Sequence, residues 1–204
     1  MARTVNPLEA TLRRVLDDLP RSGRRWALVG GLAVSARAEP RLTRDVDLAV
    51  EVSNDADAEQ LVLGLQREGY RVVAAVEHET AGRLATVRMR PPGARHTGVV
   101  VDLLFASSGI EPEIVRTAEE VEVLPGLRAR VARLGYLIAL KLLARDDRSR
   151  PQDWDDLCAL LRQAGRRDIA EARRALWLIT ERGYHRGRPL AQQLEEILGA
   201  VKGR

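Results

Sequence analysis

Two aspartates in the first half of the chain have the spacing of a metal-binding pair. Asp45 and Asp47 lie in an extended segment that ends at Val50. Because side chains alternate along a strand, both carboxylates project to one face, while Val46 and Leu48 point into the core. Two like charges beside an apolar strand are costly unless a cation lies between them. The pair therefore predicts a divalent-metal site, with a solvated surface pair as the simpler interpretation.

A third aspartate, Asp102, interrupts the nearly continuous apolar run of residues 99–104, a pattern typical of a central strand. If the two strands are neighbours, Asp45, Asp47 and Asp102 form a cluster that can hold two Mg²⁺ ions about 3.5–4 Å apart. One ion would activate an attacking hydroxyl and the other would neutralise a leaving pyrophosphate. Asp102 is then the ligand of the nucleophile-side ion and a candidate general base. A hydrogen-bonded structural aspartate is the alternative.

The segment upstream of the aspartates offers an element that could bind phosphate. The apolar run 26–29 predicts a buried strand, Gly30-Gly31 breaks it, and residues 32–38 have a composition that tolerates a helix. Backbone amides at a helix N-terminus bind phosphate well. Metal-binding carboxylates close to such an element indicate phosphoryl or nucleotidyl transfer, although a Gly-Gly pair alone is also typical of a simple turn.

Capping residues and periodicity predict the elements that would position these groups. Helices are expected over about 7–19, 56–68, 111–116, 134–144, 151–161 and 168–181 and from Pro189 onward. Asp168 is expected to cap the helix that ends at Glu181. Strands are expected over about 43–50, 70–76, 84–90, 98–105 and 121–123. We therefore predict an α+β fold, with a mixed sheet flanked by helices in residues 1–128 and a helical bundle in residues 129–204.

Composition narrows the class of protein further. The 204 residues are 45% apolar, carry a net charge of +4 and include one cysteine. A single cysteine rules out an internal disulfide framework and fits a reducing compartment, and no apolar run approaches the length of a membrane span. We expect a soluble, cytoplasmic protein with no membrane partner. The positive charge favours an anionic partner, but an arginine-rich composition also arises in GC-rich genomes.

Taken in order, the motifs resemble those of the polymerase-beta-type nucleotidyltransferase superfamily: a Gly-Gly pair, then Thr43-x-Asp45-x-Asp47, then Asp102. More narrowly, residues 137–144 (LIALKLLA), followed by residues 150–157 (RPQDWDDL), are similar to the AbiEii-type (MenT-like) toxin nucleotidyltransferases. Those families carry a lysine in an apolar helix and then an aspartate that opens the next helix after Arg-Pro. The resemblance covers about residues 26–161, and it implies a nucleotidyltransferase fold.

The resemblance implies how the donor NTP would be held. Gly30 and Gly31 would approach its triphosphate through their backbone amides, and Ser35 or Thr43 would add a hydroxyl. Many superfamily members have serine where this chain has Leu32, directly after the second glycine. The phosphate contact of that serine is therefore missing.

The resemblance also assigns the charged residues of the site. Mg²⁺ would be bound by Asp45, Asp47 and Asp102. Lys141 would reach the triphosphate, and Asp153 would support the site by orienting Lys141 or an arginine. Taken alone, Lys141 would be interpreted as a snorkelling lysine on an amphipathic helix, and Asp153 could be a first-turn acid that interacts favourably with the helix dipole.

For the acceptor, the toxin resemblance implies the 3′ end of a tRNA, CTP or another NTP as donor, and a cognate antitoxin. Arg166-Arg167 and Arg173-Arg174 could grip phosphates from one side of a helix, or form a salt-bridged surface. Two other functions stay open. One is a small-molecule (antibiotic) nucleotidyltransferase, as for lincosamides or aminoglycosides, which predicts a compact acidic acceptor pocket. The other is a catalytically silent nucleotidyltransferase-like binding module, against which the intact aspartate trio argues.

Overall fold

The computed structural model describes residues 6–78, 81–94, 98–146 and 152–202, which form one seven-stranded mixed sheet and eight α-helices. This architecture confirms the predicted α+β class. The helices are Pro7–Asp18 (α1), Gly30–Arg37 (α2), Asp55–Arg67 (α3), Glu111–Thr117 (α4), Leu134–Ala144 (α5), Gln152–Gln163 (α6), Arg166–Glu181 (α7) and Leu190–Lys202 (α8). The strands are Trp26–Val29 (β1), Asp45–Val50 (β2), Arg71–His78 (β3), Arg83–Arg90 (β4), Val100–Leu104 (β5), Glu119–Leu124 (β6) and Leu127–Val131 (β7).

The order of the strands brings the aspartate-bearing segments together at the centre of the sheet. The order is β3-β4-β5-β2-β1-β7-β6, with β2 parallel to β5 and antiparallel to β1. In this register Asp47 lies directly opposite Asp102. Val46 and Leu48, which alternate with the aspartates of β2, are fully buried. The apolar side chains therefore anchor β2 in the core and leave its carboxylates on the other face.

The seventh strand was not predicted from the sequence. β7 pairs antiparallel with β6 and meets β1 in a parallel contact between Leu28 and Val131. The guanidinium of Arg130 donates to the backbone carbonyls of Val115 and Ala118, at the end of α4. The expected domain boundary at residue 128 falls within this strand, and the division into residues 1–128 and 129–204 stays a prediction.

Several helix ends follow the capping signals of the sequence. The side-chain oxygens of Asn6 and Asn54 accept backbone N–H groups in the first turns of α1 and α3, as N-cap residues do. Asp168, the residue expected to cap α7, is not the N-cap residue in the structure. Gly165 precedes that helix, and Asp168 is its third residue, where its carboxylate accepts the Gly165 N–H at 2.9 Å. Pro151, expected to open α6, and Arg150 lie outside the described residues.

Helix α5 links the helical half to the sheet. It is apolar on nearly every side because it packs against α6 and α7 and also against α2. This position carries Lys141 toward the strands that bear the aspartates. With 11 residues α5 is too short to cross a bilayer, and no other helix in the described ranges has the length and apolar character of a membrane span.

Candidate active site

A cavity of about 720 Å³ lies beside β1, β2 and β5 and the helices α2, α5 and α6. Of the nine residues that the sequence assigned to the site, all but Ser35 line it. The eight are Gly30, Gly31, Thr43, Asp45, Asp47, Asp102, Lys141 and Asp153. The remaining lining includes four arginines that the sequence had not assigned to the site, Arg41, Arg44, Arg88 and Arg186.

The three aspartates lie close enough together to influence one another's ionisation. Burial, followed by the negative charges of Asp102 and Asp45, raises the pKa of Asp47 to about 6. The ammonium of Lys141 and the backbone amide of Gly31 act in the opposite direction on the same carboxyl. The cluster is therefore electrostatically strained when all three carboxylates are ionised.

Arg88 on β4 partly neutralises this cluster. Its guanidinium donates to both carboxylate oxygens of Asp102, at 2.8 and 2.6 Å, and comes within 3.9 Å of Asp45. The hydrogen bonds to Asp102 and the negative charge of that carboxylate raise the pKa of Arg88 above its ordinary value. Sequence reasoning missed this residue. One feature of the sequence could have indicated it: Arg88 alternates with Val87 and Met89, which are buried. The side chain of Arg88 therefore projects from the opposite face, where it meets Asp102, its partner on the adjacent strand.

The donor chemistry of the three aspartates fits Mg²⁺, which prefers carboxylate oxygens. In the side-chain arrangement of the described residues, no three acidic, histidine or cysteine groups form a ready-made metal site. In the same arrangement Arg88 donates a hydrogen bond to each carboxylate oxygen of Asp102. The raised pKa of Asp47 reflects a repulsion between like charges that a divalent cation relieves. Asp45, Asp47 and Asp102 are thus the residues that would hold the metal.

The turn from β1 into α2 packs directly against Asp47. Gly30 has a φ of +62°, in the left-handed region that favours glycine. A Cβ atom at position 30 would lie 2.5 Å from Cγ of Asp47. A Cβ atom on Gly31 would lie 2.6 Å from Nη2 of Arg41 and 2.7 Å from Oγ1 of Thr43. The start of α2 is therefore held between a carboxylate, a guanidinium and a hydroxyl, and at position 30 both the backbone conformation and the contact with Asp47 favour glycine.

We expect the substitution Gly30→Ala to lower the free energy of unfolding by about 2 kcal/mol, since it adds backbone strain and a steric overlap with Asp47. Gly64→Ala is the matched control, because Gly64 lies inside α3 with nothing within 4 Å of its Cβ position. That change should stabilise the protein by about 0.5–1 kcal/mol. Urea unfolding of the two variants measures both effects. Equal stabilities would show that the β1–α2 turn is not constrained.

Ser35, the other candidate hydroxyl for the triphosphate, is not among the residues that line the cavity. It donates to the backbone carbonyl of Gly31 at 3.0 Å and accepts the Arg41 N–H at 3.3 Å. A serine four residues along a helix commonly bonds back to the preceding turn in this way. Of the two candidate hydroxyls, only Thr43 lines the cavity.

Lys141 lies between two buried carboxylates. Its Nζ atom is 2.8 Å from Oδ1 of Asp153 and 2.7 Å from Oδ2 of Asp156. Asp153 and Asp156 are only 2% and 3% exposed. Arg41 binds the second oxygen of Asp156 at 2.7 Å and thereby ties the α2–β2 loop to α6. Asp156 was missed by sequence reasoning, although its position three residues after Asp153 puts both on one side of a helix.

Some of the C-terminal arginines form ion pairs. Arg173 forms a bidentate pair with Glu195 at 2.7 and 2.9 Å, and Arg182 pairs with Glu113 at 2.7 Å. Arg174 is exposed on α7 near Trp177, whose exposure is 52%. The surface of α7 thus combines the two arrangements left open by the sequence, a salt-bridged part and an exposed basic part with an aromatic side chain.

The chain was compared with known families and structures. The model of the family described as nucleotidyl transferase AbiEii toxin, type IV toxin–antitoxin system, matches residues 14–201. A search of curated proteins finds no significant match. An antigenic nucleotidyltransferase-like protein from Paracoccidioides brasiliensis aligns with a TM-score of 0.51 at 19% identity, over 95% of this chain and 89% of its own. ANT(2″)-Ia, in complex with adenylyl-2″-tobramycin, aligns with a TM-score of 0.53 at 14% identity, over 85% and 97%. At these identities the two structures establish the fold alone.

Proposed function

Because the chain belongs to the AbiEii family of nucleotidyl transferase toxins, we propose that it transfers a nucleoside monophosphate from an NTP to the 3′-terminal hydroxyl of a tRNA. Nucleotidyl transfer itself follows from membership of the family. The Mg²⁺ requirement and the tRNA acceptor are our proposal. The observation that carries it is the charge of the cavity, where three clustered carboxylates stand beside five cationic side chains.

The donor NTP would bind at the start of α2. The backbone amides of this helix end, the hydroxyl of Thr43 and the ammonium of Lys141 are the groups suited to a triphosphate. Asp153 and Asp156 hold the Lys141 ammonium through contacts of 2.8 and 2.7 Å. Preorganised charge of this kind lowers the cost of positioning the phosphoryl group for in-line displacement.

The aspartates would serve the transfer step. Asp45, Asp47 and Asp102 would hold Mg²⁺, which when bound supplies Lewis-acid activation of the attacking hydroxyl and neutralises charge on the leaving pyrophosphate. Asp102, opposite Asp47 in the register of the two strands, is the residue we assign to the acceptor side, where it would accept the proton of the hydroxyl.

The charge balance of the cavity favours an anionic acceptor. The lining contains Arg41, Arg44, Arg88, Lys141 and Arg186 but only four acidic residues, Asp45, Asp47, Asp102 and Asp153. Three of these acids form the aspartate trio, and Asp153 contacts Lys141. Among the described lining residues, no further carboxylate is therefore available for the ammonium groups of an aminoglycoside. A phosphodiester backbone suits the same cations. Trp177 and Arg174 on α7 add an exposed surface of the kind that stacks bases and binds phosphates.

The toxin family also implies a cognate antitoxin as a partner. We propose that this antitoxin restrains the transfer of nucleotides to tRNA in the cell. We expect the chain to arrest growth when it is expressed alone, and co-expression of its antitoxin should relieve that arrest.

A transfer assay with labelled NTPs tests the proposed acceptor. The protein is incubated with each of the four NTPs, Mg²⁺, and in parallel total tRNA, a protein extract, or a panel of lincosamides and aminoglycosides. We expect label on tRNA, and we expect periodate oxidation of the terminal diol to abolish it. Label on an antibiotic instead would establish the small-molecule alternative, and label on none of these acceptors would remove the tRNA proposal.

A further inference from the structure

The loop between α7 and α8, residues 183–188, is anchored on both sides of one arginine. The rings of Tyr184 and His78 contact each other in a tilted arrangement, with centroids 4.4 Å apart. Tyr184 also packs so closely on Gly109 that a Cβ atom there would lie 2.5 Å from the ring. On the other side, Arg188 donates to the carbonyls of Leu143 and Arg145, at the end of α5, at 2.9 and 3.1 Å. The loop is therefore held on both sides of Arg186.

Arg186, between the anchors, has an unfavourable backbone conformation. Its φ of 54° makes it the one residue other than glycine with positive φ in the described ranges. For a residue with a Cβ atom this region is sterically unfavourable. Glycine would adopt the conformation without that cost, as Gly183 and Gly187 do in the same loop at φ of 79° and 69°. Strain of this kind, held in place by its surroundings, is characteristic of functional positions.

The side chain of Arg186 enters the lining of the cavity without a carboxylate partner among the described residues. Its one hydrogen bond there is a long one, 3.4 Å, to the backbone carbonyl of Ser107. Three other cations of the cavity are held by acids. Arg41 binds Asp156, Arg88 binds Asp102, and Lys141 binds both Asp153 and Asp156. Arg186 is therefore available for an anion that enters from outside.

The position of Arg186 indicates which substrate it serves. Ser107 follows β5, the strand that carries Asp102, whereas the element suited to the triphosphate is the start of α2. We propose that Arg186 binds a phosphodiester group of the acceptor strand and positions its terminal hydroxyl beside Asp102. This inference rests on the proposed function, because it takes the acceptor to be a nucleic acid. A planar guanidinium suits a phosphodiester because it can donate two parallel hydrogen bonds.

Arg186→Gly is the informative variant, because it removes the guanidinium and relieves the backbone strain at once. We expect an unfolding temperature equal to or higher than that of the parent chain, so a loss of function cannot be attributed to misfolding. For the tRNA acceptor, KM should rise at least about tenfold, the effect of losing one charge-assisted contact. The apparent affinity for the NTP donor should change less than twofold. Arg67→Ala, on the exposed side of α3, is the control and should change neither quantity.

A binding measurement separates this inference from the proposed function. Fluorescence anisotropy of a labelled twelve-nucleotide single-stranded RNA is recorded at several salt concentrations. For Arg186→Gly, the slope of log K against log salt should decrease by about 0.7, the value for one phosphate of a single strand. If the parent chain neither binds nor modifies RNA, the proposed acceptor is wrong. If the parent does both and Arg186→Gly matches it in KM and in slope, only the role of Arg186 is overturned.

Discussion

Asp47→Asn is expected to lower nucleotide transfer by roughly 10²–10³-fold, the range for removal of one preorganised group that stabilises transition-state charge. Asparagine keeps the shape of the side chain but loses the negative charge that would hold Mg²⁺. Asp47 lies at the centre of the site, opposite Asp102 and against Gly30. The loss should therefore appear in kcat at saturating NTP and acceptor, measured with labelled NTP.

The same substitution should make the metal-free protein more stable at neutral pH. The pKa of Asp47 is raised to about 6 by burial and by its two acidic neighbours. Ionised Asp47 therefore opposes folding. The protein is not destabilised by this carboxyl below its ordinary pKa of 3.8, where it is protonated in both the folded and the unfolded state. The free energy of unfolding then falls as pH rises through about 6, where the folded protein ionises Asp47. Asp47→Asn removes this dependence. Its advantage over the parent chain should be present at pH 7.5 and should disappear near pH 4.

Chemical denaturation in EDTA at the two pH values measures the difference. Asp17→Asn is the control, because Asp17 is exposed on α1 and its replacement should alter neither transfer nor the pH dependence. A variant that is less active and also less stable at pH 7.5 would point to a structural role for Asp47. Undiminished transfer would exclude it from the catalytic machinery.

The sequence was sufficient to place the central part of the fold because local signals there agree with one another. Two carboxylates at alternating positions, a nearly uninterrupted apolar run around Asp102 and a glycine pair before a helix each define an element and a face. β7 was missed because its short alternating pattern, with arginines at positions 128 and 130, lies where the composition becomes helical. The order of strands in the sheet is not a local property, and no periodicity specifies that β2 lies beside β5.

The partners of the site residues could not be predicted for the same reason. Arg88 meets Asp102 across a strand ladder, and Arg41 meets Asp156 from a loop more than a hundred residues earlier. Such pairs depend on tertiary packing, whereas sequence motifs report mainly on neighbours along the chain. Ser35 illustrates the reverse situation. A hydroxyl near a glycine pair suggested a ligand contact, but the helix directs it back to its own backbone.

Lys141→Met is expected to lower the free energy of unfolding by about 3 kcal/mol, because it removes the cation from a buried charge cluster and leaves the carboxylates in place. Methionine fills the space of the lysine stem, so the change isolates the loss of the ammonium. Lys141 is only 12% exposed, and the two carboxylates that it contacts are 3% exposed in their side chains. Arg41 still reaches Asp156, which limits the effect to the lower end of the range for broken buried pairs.

Arg162→Met is the matched control, since Arg162 also contacts a carboxylate, Glu39, at 3.0 Å, but with 58% and 59% of the two side chains exposed. Water already solvates that pair, so its loss should cost at most about 1 kcal/mol. Adding Asp153→Asn to Lys141→Met should restore part of the lost stability, because one of the buried negative charges is removed together with the positive one. Urea unfolding of the single and double variants measures each difference. If Lys141→Met and Arg162→Met prove equally mild, the lysine is not a structural counter-ion, and Asp153 and Asp156 cannot act by holding it toward the triphosphate.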